Sequence, residues 1–153
     1  QQLAGATALK AKAIEQAITY FRNAVDLNDH YAYYHRQLGS AHALSGHFIE
    51  AENVFRNSLK LDPTQADAIT GDLRTAVYQF QEEDNLSKAE EGLQAILRLQ
   101  PDAKEVRIQL VEILCELKSF DAAWTEIHEC KKRALNIPND LIERLQRASG
   151  RNQ

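Results

Sequence analysis

The sequence holds no methionine, only two cysteines, three prolines and a single tryptophan in 153 residues. Two cysteines cannot build the disulfide framework of a small secreted domain, and they fix no redox compartment. Three prolines and six glycines are too few for a collagen-like or low-complexity chain. No apolar run approaches the ~20 residues that cross a bilayer as a helix, and no signal-peptide pattern opens the chain. Lysine and arginine number 18 against 22 aspartates and glutamates, a net charge of −4. No basic stripe interrupts this mild acidity, so a nucleic-acid partner has no electrostatic support. A first residue Gln1 and the missing methionine predict a processed product or a piece of a longer protein. The expected compartment is therefore open between cytoplasm and periplasm, for a soluble chain without membrane insertion.

What is present is ordinary in amount and unusual in order. Hydrophobic residues make up 44% and charged residues 26%, values of a soluble globular domain with chain enough for one core. An octet recurs four times: an apolar residue, alanine three positions on, and a second apolar residue four later. The copies are Ile14–Ala17–Phe21, Phe48–Ala51–Phe55, Leu86–Ala89–Leu93 and Phe120–Ala123–Ile127. Their alanines are 34, 38 and 34 residues apart. Periods of this size belong to solenoid repeats, whose units bury their apolar faces only by stacking on neighbours.

Apolar residues elsewhere keep helical spacing, and no strand alternation appears. Pro63, Pro101 and Pro138 each mark a helix start, with Asp62 as an N-cap, and Gly46 and Asn85–Ser87 mark turns within units. The reading is helix pairs at 1–11 and 14–27, 31–44 and 48–60, 64–81 and 86–98, and 102–117 and 120–134. A closing helix follows over 138–148, with a tail at 150–153. The expected fold is all-α, a single domain over 1–149, with repeats at about 1–29, 30–63, 64–101 and 102–137. The octet alanines fall where the second helix of a pair crosses the first, and the residue four later bridges to the next pair. Cys115 and Cys130, on opposite sides of a turn near Lys118, are offset along the helices by roughly 12 Å, too far for a disulfide. Both are expected as free thiols in the core.

The second unit carries His35-x-x-Leu38-Gly39-x-x-His42, then Gly46-x-Phe48-x-x-Ala51-x-x-x-Phe55, and ends at Pro63. It resembles the tetratricopeptide repeat, whose pattern is W-x-x-L-G-x-x-Y, A-x-x-x-F and a terminal P over 34 residues. His35 and His42 stand in the Trp and Tyr slots. The other three copies are more degenerate but keep register. The first has Gly5 and Ala8 in its Gly and Tyr slots. The third holds four extra residues near 81–85, lengthening its first helix or bulging its loop. In the fourth, Val111 and Leu114 take the small and aromatic slots, and the late Pro138 implies an extended second helix.

The resemblance implies a right-handed superhelix whose concave groove, lined by the first helix of each pair, binds a peptide or partner segment. Its groove slots fall on Tyr33, Arg36, Gln37 and Ser40, on Asp67, Thr70, Arg74 and Tyr78, and on Glu105, Gln109, Glu112 and Glu116. Arginine suits carboxylates and tyrosine offers apolar area with a polar tip. The plain competing reading is solvated surface. A relative's dicarboxylate clamp of Lys and Asn, Asn, then Lys and Arg would need those residues where this chain has Arg36 and Ser40, Gly71, and Glu105 and Gln109. Only Arg36 has the right chemistry, so an acidic chaperone tail is disfavoured as partner.

No nucleophile–base–orienter set, metal-ligand spacing or phosphate loop is present, so no enzyme activity, cofactor or metal is expected. His35 and His42 share a helix face near His30 and His47, but their slots are packing slots. His128 and Cys130 point to different faces and make no catalytic pair. Glu82-Glu83-Asp84 reads as a solvated turn, and Trp124 as packing with Ile127 against Leu141, Ile142 and Leu145 of the closing helix. The expectation is a non-catalytic scaffold for a protein or peptide ligand. The alternative is a self-assembly module, a homo-oligomer stacking through an incomplete first repeat that leaves Leu3 and Leu9 short of partners.

Overall fold

The computed structural model describes residues 2–151, with side chains from residue 8 onward. The chain forms two compact units, Gln1–Gln79 and Phe80–Gln153. Unit one contains α1 (Gln2–Leu27), α2 (Ala32–Leu44), α3 (Phe48–Leu61), a 3₁₀ turn (Pro63–Gln65) and most of α4 (Ala66–Glu82). Unit two contains the last turn of α4, then α5 (Leu86–Leu99), α6 (Lys104–Glu116), α7 (Phe120–Lys132) and α8 (Asn139–Ser149). No strand occurs among the described residues, so the chain is an all-α helical repeat protein.

The hairpin turns share one device. Gly46, Asp84 and Lys118, each five residues before an octet alanine, adopt left-handed backbone with φ of 84°, 56° and 57°. The following N–H then donates to the carbonyl five residues back: His47 to His42, Asn85 to Phe80, and Ser119 to Leu114, at 2.8–2.9 Å. This closure satisfies carbonyls that the helix end would otherwise leave unpaired. Ala134 (φ 56°) ends α7 the same way, with Leu135 donating to the carbonyl of Cys130 at 2.9 Å. Asp62 caps the 3₁₀ turn as read, accepting from the Thr64 N–H at 3.0 Å.

Two segment boundaries differ from the sequence reading, and of the two alternatives for the third repeat the longer first helix is the one observed. The break at 12–13 is absent, and α1 runs unbroken for 26 residues. Ala8 to Ala13 consists of alanine, leucine and lysine, the strongest helix formers, with no glycine or cap residue to stop the helix. The four extra residues of the third repeat lie in its first helix: α4 has 17 residues where α2 and α6 have 13. In the fourth repeat the second helix is not extended; α7 stops at Lys132, and the surplus forms the irregular stretch 133–138 before α8.

The octets are buried where a first helix covers them. Ala51, Phe55, Ala89, Leu93 and Ala123 have no exposed surface. Close packing sets the small residues: an ideal Cβ on Gly39 would stand 2.6 Å from the Phe55 ring. The buried Ser58 hydroxyl donates to the Ala32 carbonyl at 2.9 Å, joining α3 to the start of α2. In unit two, buried Arg107 of α6 donates to Glu126 of α7 at 2.7 Å and to the Pro101 carbonyl at 2.9 Å. Both ends of its guanidinium are thus satisfied, which a buried cation requires. α8 closes this unit with Leu141 and Leu145 buried, and the Trp124 indole N–H donates to Ser149 Oγ at 3.1 Å. Trp124 is therefore a packing residue as read. Cys115 and Cys130 are free thiols, half-buried and buried, and burial pushes both thiols up. Leu3 and the tail residues 152–153 lie outside the described side chains.

Candidate functional site

α2 carries Tyr33, Arg36, Gln37 and Ser40 at helical positions i, i+3, i+4 and i+7, so they share one face. α4 carries Asp67, Thr70, Arg74 and Tyr78 at i, i+3, i+7 and i+11, again one face. Arg36 ties these two helices together. Its Nε lies 3.3 Å from Asp72 Oδ2, and its Nη1 donates to Gln65 Oε1 at 3.0 Å. The pair is mostly covered, Arg36 at 23% and Asp72 at 25% exposed. Arg36 also lies 6.0 Å from the centroid of the Tyr33 ring, a cation–π distance.

Around this bridge the non-repeating residues are open. Tyr33 is 46% and Tyr78 61% exposed, and Asp67 and Arg74 are exposed as well. Gln37, Ser40 and Thr70 are half-buried, and the Thr70 hydroxyl donates to the Ala66 carbonyl of its own helix at 3.1 Å. Tyr33 belongs to an aromatic cluster. Tyr31 and Tyr34 meet edge-to-face at 4.9 Å between centroids, with Tyr33 at 6.3 and 6.1 Å from them. Unit one therefore presents a surface with one exposed cation, exposed tyrosines and a guanidinium fixed between helices. Arg36 is a positioned group rather than a mobile one, which the sequence reading had not separated.

In unit two, α6 presents Glu105, Gln109, Glu112 and Glu116 along one strip. The three glutamates are exposed, and Gln109 is half-buried, its Nε2 donating to Gln81 Oε1 at 3.0 Å. This strip is acidic, in contrast to the mixed surface of α2 and α4.

His35 and His42 are packing groups. His35 and His42 are both buried, and a ring nitrogen of His35 lies 2.8 Å from the Asp29 carbonyl. His42 Nδ1 is buried without a hydrogen-bond partner. Burial, Arg22 and His47 together hold the His42 imidazole below its ordinary value. No group of three or more His, Cys, Asp or Glu among the described residues is placed to hold a metal ion.

Sequence reasoning missed Asp72 and Gln65, the partners of Arg36, and the tyrosines flanking Tyr33. Asp72 stands 36 residues beyond Arg36 and Gln65 stands 29 beyond it, spacings that match no repeat period. The tyrosine cluster was visible as three aromatics in the four residues Tyr31 to Tyr34.

Among the described residues no helix is long and apolar enough to cross a membrane. No curated protein matches the chain. Residues 32–65 match the family model of the tetratricopeptide repeat, a span that contains α2, α3 and the 3₁₀ turn leading to α4. Protein–protein interaction is the general role of that repeat. The segment 32–65 is thus similar to a tetratricopeptide repeat; the octet recurs on either side of it, and the hairpin closure recurs beyond it at Asp84 and Lys118.

Proposed function

We propose that the chain is a non-catalytic scaffold that holds a peptide segment on the α2–α4 face of unit one. One observation carries this reading. Tyr33, Arg74, Tyr78 and Asp67 are exposed on adjacent helices whose spacing is fixed by the Arg36–Asp72 bridge. Residues that repeat along the chain are spent on packing, so recognition falls to those that do not. A preset face loses little freedom on binding, which is how rigid scaffolds gain affinity from a modest contact area. Arg74 supplies a cation for a carboxylate, and the tyrosines supply apolar area with hydroxyl tips. The matching ligand is an extended or helical segment with an acidic residue beside an apolar one. The α6 strip of Glu105, Glu112 and Glu116 offers unit two a separate contact for basic groups.

Selection of binders from a random peptide library, followed by amide chemical-shift mapping, tests this. Shifts centred on Tyr33, Arg74 and Tyr78 support the face. Binders whose shifts lie on α5 or α7 and spare α2 and α4 contradict it.

A further inference from the structure

The chain repeats one hairpin closure at Gly46, Asp84 and Lys118, always five residues before an octet alanine. The same register before Ala17 falls on Lys12, which instead lies inside the unbroken helix α1. Lysine at this position is no obstacle, because Lys118 takes the left-handed conformation in the fourth repeat. The first octet bears the mark of the missing fold. Ala17 and Phe21 are only half-buried, whereas Ala51 and Phe55 in the same register have no exposed surface. On the other side of Lys12, Ala8 to Ala13 are all exposed, and Leu9 is 71% open. The period of 34 also places Gly5 at the register of Gly39, the glycine that lets Phe55 approach its hairpin partner.

From these matches we infer that α1 is a two-state strap: residues 2–11 fold back at Lys12 onto residues 14–24 and complete the first repeat. The continuous helix leaves Leu9 and Tyr20 open and Ala17 half-covered, and the hairpin covers this stripe. In the register of Gly39 against Phe55, Leu9 comes opposite Ala17, a large residue against a small one. The first half of α1 is therefore a switchable face, distinct from the α2–α4 surface, and the two stand or fall separately.

Paired cysteines in the full chain distinguish the states. In the straight helix, Leu9→Cys and Ala17→Cys are eight residues apart along the axis, about 12 Å, beyond the ~7 Å limit of a disulfide. In the hairpin they are neighbours. Under mild oxidation the L9C/A17C chain is expected to form an intramolecular disulfide. The equally spaced pair Thr19→Cys and Leu27→Cys stays unlinked. Lys12→Gly, which frees the left-handed backbone, raises the rate of L9C/A17C linkage several-fold, and Lys12→Val lowers it. A disulfide between two chains would overturn the inference in favour of a second copy as occupant. Absence of linkage, equal linkage of the control pair, or a rate indifferent to Lys12 would each overturn it as well.

Discussion

Replacing Arg36 by glutamate sets a second carboxylate against Asp72 and leaves Gln65 Oε1 without its donor. Because the pair is mostly covered, we expect a loss of about 1–2 kcal/mol, read as a lower denaturation midpoint. From sequence alone Arg36 looked like a ligand-gripping cation; its bridge to Asp72 makes it a structural group as well, and Arg74 is the better probe of recognition. His42 makes a second prediction at this scale. Its imidazole titrates lower in the folded chain than its ordinary value of 6.5, chiefly through burial, then through Arg22 and His47. Between those two values the unfolded chain binds more protons than the folded one, so stability rises with pH there. Stability is thus full above about pH 6.5 and falls as pH drops below it. His42→Phe should flatten that part of the profile in denaturant titrations taken at successive pH values. An unchanged slope would assign the acid sensitivity to another group.

The hairpin is the element that the sequence specifies most tightly, and its tolerances differ from place to place. Gly39→Ala puts a methyl group 2.6 Å from the ring of Phe55, which is wholly buried and has no room to turn aside. Overpacking of this kind costs about 1–3 kcal/mol, and thermal unfolding of the variant measures it. Lys118→Gly should act in the opposite direction. The left-handed backbone at φ 57° penalises a Cβ, and its removal is expected to raise stability by roughly 0.5 kcal/mol after the greater freedom of glycine in the unfolded chain is discounted. Octets, prolines and Gly46 were enough to read α2, α3, α5 and α8 to within a residue or two of their bounds. They failed at residues 12–13, where the repeat register asks for a turn but no glycine, proline or cap marks one and the helix runs on. Asp84 and Lys118 show the same limit, being turn residues by virtue of the hydrogen bonds around them rather than their own preference.

Across the molecule, the repeated octet positions and the exposed non-repeating ones separate. The repeated positions Ala51, Phe55, Ala89, Leu93 and Ala123 are sealed in the core, while the non-repeating Tyr33, Arg74 and Tyr78 are exposed. Which face would be open could be read by carrying the repeat register onto Tyr33, Arg74 and Tyr78. The distribution of roles on that face could not, because Asp72 and Gln65 reach Arg36 across a fold that sequence spacing does not encode. The same holds for the unpartnered Nδ1 of His42, whose slot was legible as buried but not as lacking a hydrogen bond. If recognition lives on exposed, non-repeating residues, as we propose, it can be removed without touching the scaffold. Its direct test is the double variant Arg74→Glu with Tyr78→Ala, measured for both thermal midpoint and affinity toward a library-selected peptide. The expected outcome is an unchanged midpoint and an affinity weakened by about tenfold or more, a change of at least ~1.4 kcal/mol. Unchanged affinity, or a loss of affinity that merely follows a fall in the midpoint, would contradict it.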